Sequence, residues 1–263
     1  MPTPSAARVH TATVVDNVQV AEGLWRLVFR APKLAANISS GQFFSIAVPG
    51  APKQLARIPL SFSIADFDAG TIETVYAVVG PGTQALSQMA PGATTTVLGP
   101  GGHGWKLDTF TKRCLLVAGG IGVTPIISAA NTLGLEGLEY DVIMGARTAS
   151  MLWGADRLLT YGAGSVVVVT DDGTAGAKGT TVDALEAALP TEKYDLVLTC
   201  GPEPMMRRVA ELCQKADVAC QVSMERMMTC GFGACATCVV DTKGGKVGAC
   251  MGGPVFDANE VVW

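Results

Sequence analysis

The chain of 263 residues is 49 % hydrophobic and only 16 % charged, which supports large cores and excludes a disordered polypeptide. Its net charge of −4, with no basic block, argues against nucleic acid as a partner. Mean hydropathy is high at +0.35. Even so, no apolar run reaches the ~18 residues that a membrane-spanning helix needs. The surplus apolar residues are therefore expected in buried sheets, cofactor pockets or a partner interface. Met1-Pro-Thr-Pro-Ser5 carries no apolar signal core, and the expected location is cytoplasmic.

Residues 8–100 predict an all-β region, with strands over 8–20, 24–29, 43–48, 58–65, 71–79 and 94–98. Asp68-Ala-Gly70, Gly80-Pro-Gly82 and Pro91-Gly92 punctuate them, and short strands at this spacing predict a barrel or sandwich. Within that region, Arg57-Ile-Pro-Leu-Ser61 offers an arginine for a pyrophosphate and hydroxyl and N–H groups for a flavin edge. An ordinary strand start explains the same residues. Further on, Val75-Tyr-Ala-Val-Val-Gly-Pro-Gly-Thr83 ends a strand in a glycine turn and enters a short helix. The N–H groups of Gly82 and Thr83 suit a phosphate there, and a simple turn is the competing reading.

Gly99-Pro-Gly-Gly-His-Gly104 is a glycine-rich connector, after which strands and helices alternate. Strands are expected over 113–118, 140–145, 165–170, 194–199 and 219–224, and helices over 122–133, 153–159, 182–189 and 203–216. Apolar strands alternating with helices predict a doubly wound parallel sheet. Gly119-Gly-Ile-Gly-Val-Thr-Pro125 directly follows a strand and opens a helix, and Cys200-Gly-Pro202 follows another. Two loops at the carboxyl ends of strands define one crevice, where a dinucleotide would lie over Gly120, Gly122, Thr124, Gly201 and Pro202. Tight packing of helix on strand would also call for those glycines. His10 and His103 form neither a metal site nor a catalytic triad, and no catalytic acid–base residue stands out.

The last segment holds Cys230, Cys235 and Cys238 in a C-x4-C-x2-C array, with eleven residues between Cys238 and Cys250. That spacing is the plant-type 2Fe-2S pattern. Gly231 and Gly233 let the backbone wrap and aim N–H groups at sulfur. A structural zinc or two disulfides are the alternatives. Cys114, Cys200, Cys213 and Cys220 lie among apolar residues and read as buried free thiols. Met227, Met228, Met251, Phe256 and Trp263 add apolar residues near the cysteines, and are expected to form a docking surface for a partner. The expected division is a barrel over 1–103, an α/β domain over 104–224 and a cluster domain over 225–263.

Taken in order, Arg57-x-Pro59-x-Ser61, Gly80-x-Gly82-Thr83, the Gly119 loop, Cys200-Gly-Pro202 and the cysteine array resemble the ferredoxin-reductase superfamily. The short spacing before Cys250 and the ending from Gly253-Pro-Val-Phe-Asp257 to Trp263 narrow the resemblance. They are similar to the electron-transfer subunits of NAD-dependent dihydroorotate dehydrogenases. The resemblance implies a β-barrel that binds FAD, a doubly wound α/β domain that receives NAD(H), and four cysteines that hold a 2Fe-2S cluster. It implies that Pro59, Leu60 and Ser61 line the flavin, with Arg57 or Ile58 beside its phosphates. Val75, Tyr76 and Ala77 would meet the flavin from the next strand, and Gly82 and Thr83 would hold the pyrophosphate. It further implies an FMN-containing catalytic subunit as partner, in a heterotetramer with two of each chain. A reductase serving ferredoxin or a hydrogenase, or a metal-binding scaffold, stays open. Many relatives have arginine where Ile58 and Ala77 stand, so this chain has less positive charge near the flavin.

Overall fold

The computed structural model describes residues 7–50 and 56–263, and the reading of residues 1–5 falls outside them. Seven strands form one antiparallel sheet: β1 (Arg8–Ala21), β2 (Leu24–Arg30), β3 (Phe43–Ile46), β4 (Ile58–Ser61), β5 (Ile64–Asp66), β6 (Thr71–Ala77) and β7 (Thr94–Gly101). Their order is β4-β3-β7-β1-β2-β6-β5. Two register shifts where β1 pairs with β2, at Val14/Asp16 and Gln19/Ala21, sharpen the local twist. The sheet curls until β4 meets β6, where the buried Thr74 hydroxyl donates to the Ser61 carbonyl at 2.6 Å. Leu27, Phe29, Phe44, Ile46, Ile72 and Val97 fill the interior. Phe29 and Phe44 meet edge to face with centroids 5.0 Å apart. Two short helices, α1 (Pro32–Ala35) and α2 (Pro81–Ser87), cover the ends, and α2 buries Leu86 in the same core. The single strand expected over 58–65 is two strands, because Phe62 turns into the core and Ser63 bonds back to the Glu73 carbonyl.

The second sheet is built from β8 (Arg113–Gly119), β9 (Glu139–Ala146), β10 (Val166–Thr170), β11 (Ala177–Lys178), β12 (Leu196–Cys200) and β13 (Ala219–Ser223), all parallel to their neighbours. Its helices are α3 (Val123–Leu135), α4 (Ala155–Thr160), α5 (Thr181–Ala188) and α6 (Glu203–Lys215). Along β8 the strand alternation sends Cys114, Leu116 and Ala118 towards α3, and Leu115 and Val117 towards α5 and α6. Both faces are thus covered, which makes the sheet doubly wound. The order β11-β10-β9-β8-β12-β13 reverses direction between β8 and β12.

Beyond β13 the chain forms the hairpin β14 (Val239–Thr242) and β15 (Gly245–Gly248), then β16 (Val255–Asp257), which runs antiparallel on the β13 edge. The last residues return along the hairpin, with Val262 N–H donating to the Asp241 carbonyl at 2.9 Å. No helix among the described residues is long and apolar enough to cross a membrane.

At the amino-terminal ends of the parallel strands, Asp141 of β9 gathers three donors. Arg113 Nη2 reaches it at 2.8 Å, Ser165 Oγ at 2.6 Å and Tyr194 Oη at 3.1 Å. Burial raises the pKa of Asp141, but these hydrogen bonds outweigh it and hold the carboxyl below its ordinary value. A carboxylate with a depressed folded pKa contributes stability above its unfolded pKa of about 3.9, and loses it as pH falls through the folded value. Asp141→Asn is expected to cost about 2 kcal/mol at pH 7, less than for a fully buried pair because Arg113 is partly exposed. Urea unfolding of both proteins across acid pH checks this. The gap between them should narrow as pH drops below about 4, and a pH-independent gap would contradict the account.

Candidate functional site

A cleft of about 430 Å³ opens between the curled sheet and the parallel sheet. One wall comes from β4 and β6, with Ile58, Pro59, Leu60, Ser61, Val75, Tyr76 and Ala77, continued by Val79 and Thr83. Pro59 is tolerated because β4 is the edge of its sheet and needs no outward N–H. The other wall is Ile121 just before α3 and Thr124 and Pro125 in its first turn, with Ser223 at the end of β13 and residues 224–228 after it. These expected residues are therefore brought together, apart from Gly82 and Arg57, which do not line the cleft. Arg57 points to the opposite side of β4, where Nη1 donates to the Thr96 carbonyl at 2.7 Å and Nη2 to Thr96 Oγ1 at 2.9 Å. Its two bonds to Thr96 of β7 hold Arg57 away, so Ile58 lines the cleft and Arg57 does not.

Thr83 sits at the start of α2, and its hydroxyl oxygen accepts from the N–H groups of Val79 at 2.9 Å and Gly80 at 3.1 Å. It also donates to the Gly80 carbonyl, so its side chain locks the turn. Gln84 makes the first helical bond, to the Gly80 carbonyl. The N–H groups of Gly82 and Thr83 precede that bond, as the first donors of a helix do.

A second cleft of about 410 Å³ lies over the carboxyl ends of β8, β9, β10 and β12, at the point where the strand order reverses. Gly120 and Pro202 line it as expected. The sequence reading missed Arg147, Met151, Asp171, Thr180 and Met205, which also line it. Arg147 and Asp171 directly follow β9 and β10, so the strand-end rule could have found them. The two clefts share Ala77 and Ile121. Thr124, expected with the dinucleotide, instead lines the first cleft and donates to the Val75 carbonyl at 3.0 Å. Gly122 and Gly201 serve packing: a Cβ on Gly122 would lie 2.2 Å from the Cys200 carbonyl oxygen, and one on Gly201 2.8 Å from Met205 Cε.

The segment that walls the first cleft runs directly into the cysteines. Gly231 and Gly233 hold φ of +77° and +87°, which only glycine adopts at low cost. Ala234 N–H reaches Cys230 Sγ at 3.3 Å, Thr237 Oγ1 reaches Cys235 Sγ at 3.1 Å, and Cys250 N–H reaches Cys238 Sγ at 3.4 Å. The β14–β15 hairpin explains the longer gap, because pairing of Val239 with Gly248 returns the chain to Cys238. A Cβ on Gly248 would lie in ordinary contact with Cys238 Sγ and Cys250 Sγ, at 3.7 and 3.9 Å, which places this residue beside both sulfurs. Hydrogen bonds from Thr237 and the Thr237 and Cys230 segments lower the Cys235 thiol to about 6, while burial and the Cys238 thiol push Cys250 up to about 12. No three His, Cys, Asp or Glu side chains among the described residues surround one ion position. The sulfurs instead associate as Cys230 with Cys235 and Cys238 with Cys250. Four thiols with N–H and hydroxyl donors aimed at sulfur fit a four-thiolate binuclear cluster.

Around this module Met227 is 81 % exposed, Phe232 53 % and Met251 40 %. The expected docking residues Met228 and Phe256 are buried, and Trp263 packs on the core that includes Val240, Cys250 and Val261. Trp263 is thus packed in part against the module's own core, and of the expected docking residues Met227 and Met251 are the exposed ones.

Residues 225–262 match the family model described as the iron–sulfur cluster binding domain of dihydroorotate dehydrogenase B. The chain is 35 % identical over 250 residues to the dihydroorotate dehydrogenase B (NAD(+)) electron transfer subunit of Clostridium perfringens, covering 94 % of this chain and 96 % of that one. It is 38 % identical over 216 residues to the probable counterpart of Methanocaldococcus jannaschii, covering 82 % and 78 %. A solved structure of an NADH-dependent reduced ferredoxin–NADP oxidoreductase superposes with a TM-score of 0.87 at 29 % identity, over 100 % of this chain and 92 % of that one.

The two loop glycines should separate by experiment. Gly120 has φ of +55° and open space around its missing Cβ, whereas Gly122 has none. Gly122→Ala should destabilise the fold by about 2 kcal/mol through overpacking. Gly120→Asn, tolerated at positive φ, should leave the melting temperature nearly unchanged and weaken NADH binding. Equal melting temperatures for the two variants would contradict this division.

Proposed function

The chain belongs to the family of dihydroorotate dehydrogenase B electron transfer subunits, and from that premise we propose that it passes electrons between NAD(H), FAD and a 2Fe-2S cluster, to or from the FMN of a dihydroorotate dehydrogenase catalytic subunit. The observation that carries this reading is the serial arrangement of three sites. The second cleft shares Ala77 and Ile121 with the first, and residues 224–228 wall the first and lead straight to Cys230. When bound, NAD(H) supplies hydride chemistry, FAD couples paired to single electrons, and the cluster carries electrons one at a time.

The chain's own residues supply orientation. Pro59, Leu60 and Ser61 line the first cleft together with Thr124 and Pro125, and these are the residues that would hold the flavin ring. Gly82 and Thr83 offer N–H groups for the pyrophosphate, and Gly120 and Pro202 flank the nicotinamide nucleotide. Ala77 and Ile121 stand where the two ligands meet, and their apolar side chains exclude water from that contact. Cys230, Cys235, Cys238 and Cys250 are the assigned cluster ligands. Barrel, α/β and cluster domains are assigned to 1–103, 104–224 and 225–263. Met227, Phe232 and Met251, exposed beside Cys235, form the surface offered to the catalytic subunit, in a heterotetramer of two chains of each kind. Reduced thiols throughout suit the cytoplasm, where we place the protein.

One observation favours a second acceptor class, the full-length likeness to a ferredoxin–NADP oxidoreductase. Coexpression with an FMN-containing dihydroorotate dehydrogenase catalytic subunit decides between them. The expected result is a stable complex that reduces NAD with dihydroorotate, while neither chain does so alone. No complex, together with rapid NADH-driven reduction of ferredoxin, would overturn the assignment of the partner.

A further inference from the structure

Among the residues lining the first cleft, three side chains can carry or lose a proton or charge: Tyr76, Glu225 and Arg226. Tyr76 is buried and donates to Asn17 Oδ1 at 3.1 Å, and burial drives its pKa far above neutral pH. Arg226 is a permanent cation. Its Nη1 is held by Glu203 Oε2 at 2.8 Å and by the Glu225 carbonyl at 2.9 Å. The Glu225 carboxylate is different: no hydrogen bond or ion pair reaches it among the described residues, and it stays open to solvent at the cleft mouth. It is the one carboxylate in the cleft lining.

The chemistry of the proposed relay requires such a group. Hydride transfer turns NADH and FAD into NAD and FADH⁻, with no free proton involved. Return of FADH⁻ to FAD releases two electrons and one proton. The electrons leave singly through the cluster to the partner's FMN, and the proton must leave by another route.

We infer that Glu225 is the acid–base residue of the flavin cleft, its carboxylate taking the proton from FADH⁻ as the electrons depart and returning it when electrons flow towards NAD. This rests on the placement of FAD in the first cleft. Position supports it, because the carboxylate touches both the cleft and bulk water. Elimination supports it, because Tyr76 and Arg226 cannot exchange protons near neutral pH. The other groups facing it are the Cys200 thiol, which burial keeps protonated and whose Sγ donates to the Ser223 carbonyl, and Glu203, which is paired with Arg226. The side chain keeps solvent access, and the part of it packed in the cleft wall is desolvated, which raises the Glu225 pKa above the ordinary carboxylate value.

The test uses the FAD- and cluster-loaded protein with Glu225→Gln and Glu225→Asp. Flavin content is measured first, then the flavin midpoint potential across pH, then the two half-reactions by rapid mixing. Wild type and Glu225→Asp should show an inflection in potential against pH that Glu225→Gln lacks. Glu225→Gln should slow reoxidation of NADH-reduced flavin by about tenfold or more, and slow its reduction by NADH much less. An FAD-loaded Glu225→Gln protein with the wild-type inflection and unchanged reoxidation overturns the inference and assigns the proton to water. A wild-type chain that takes up no FAD overturns the placement of the flavin, and the inference with it.

Discussion

The buried hydrogen bond from the Thr124 hydroxyl to the Val75 carbonyl, 3.0 Å long, fixes the relation on which the cofactor arrangement depends. It joins the first turn of α3 to β6, and so sets the parallel sheet against the curled one at the shared wall of Ala77 and Ile121. Other contacts across the same joint reinforce it. Arg157 of α4 pairs with Glu73 of β6 and stacks on Trp153, and the Glu22 N–H donates to the Ser150 carbonyl at 2.8 Å. Buried polar contacts of this kind specify one geometry, because misplacing either partner leaves a desolvated group unpaired. Hydride transfer needs such a fixed approach, since its reacting atoms must come within about 3–3.5 Å.

The cluster module is attached by the same logic. β16 extends the parallel sheet at β13, and the backbone N–H of Met224 donates to the Pro254 carbonyl at 2.8 Å. Residues 224–228 are thereby held as a wall of the first cleft while the next residues wrap the cysteines. One short stretch therefore has two duties. Its apolar side chains bound the first cleft, and its glycines at positive φ shape the segment that carries the cysteines.

Much of this was legible in the sequence because it depends on local periodicity and spacing. The apolar strands at 113–118, 140–145 and 194–199 could only be buried on both sides. The C-x4-C-x2-C array marks its candidate ligands without any knowledge of tertiary structure. What escaped depends on direction and on distant backbone. Arg57 and Ile58 are neighbours in sequence, but Thr96 of the distant strand β7 holds the Arg57 guanidinium away from the cleft that Ile58 lines. Gly122 looks like a ligand-contacting glycine until the Cys200 carbonyl is found against it. Trp263 reads as a docking residue until it is seen to pack in part on the module's own core. Glu225 carries no motif, and its role emerges only once Tyr76 and Arg226 are seen to be occupied.

The central claim is that one chain holds three redox sites in series, ending at four cysteines. Anaerobic titration of the loaded protein with NADH tests it most directly, with visible absorption following the flavin and electron paramagnetic resonance following the cluster. The account predicts uptake of about three electron equivalents per chain, two by flavin and one by cluster, falling to about two in Cys250→Ser. A wild-type chain whose cluster stays oxidised while its flavin is fully reduced, or a Cys250→Ser chain with undiminished uptake, would contradict it.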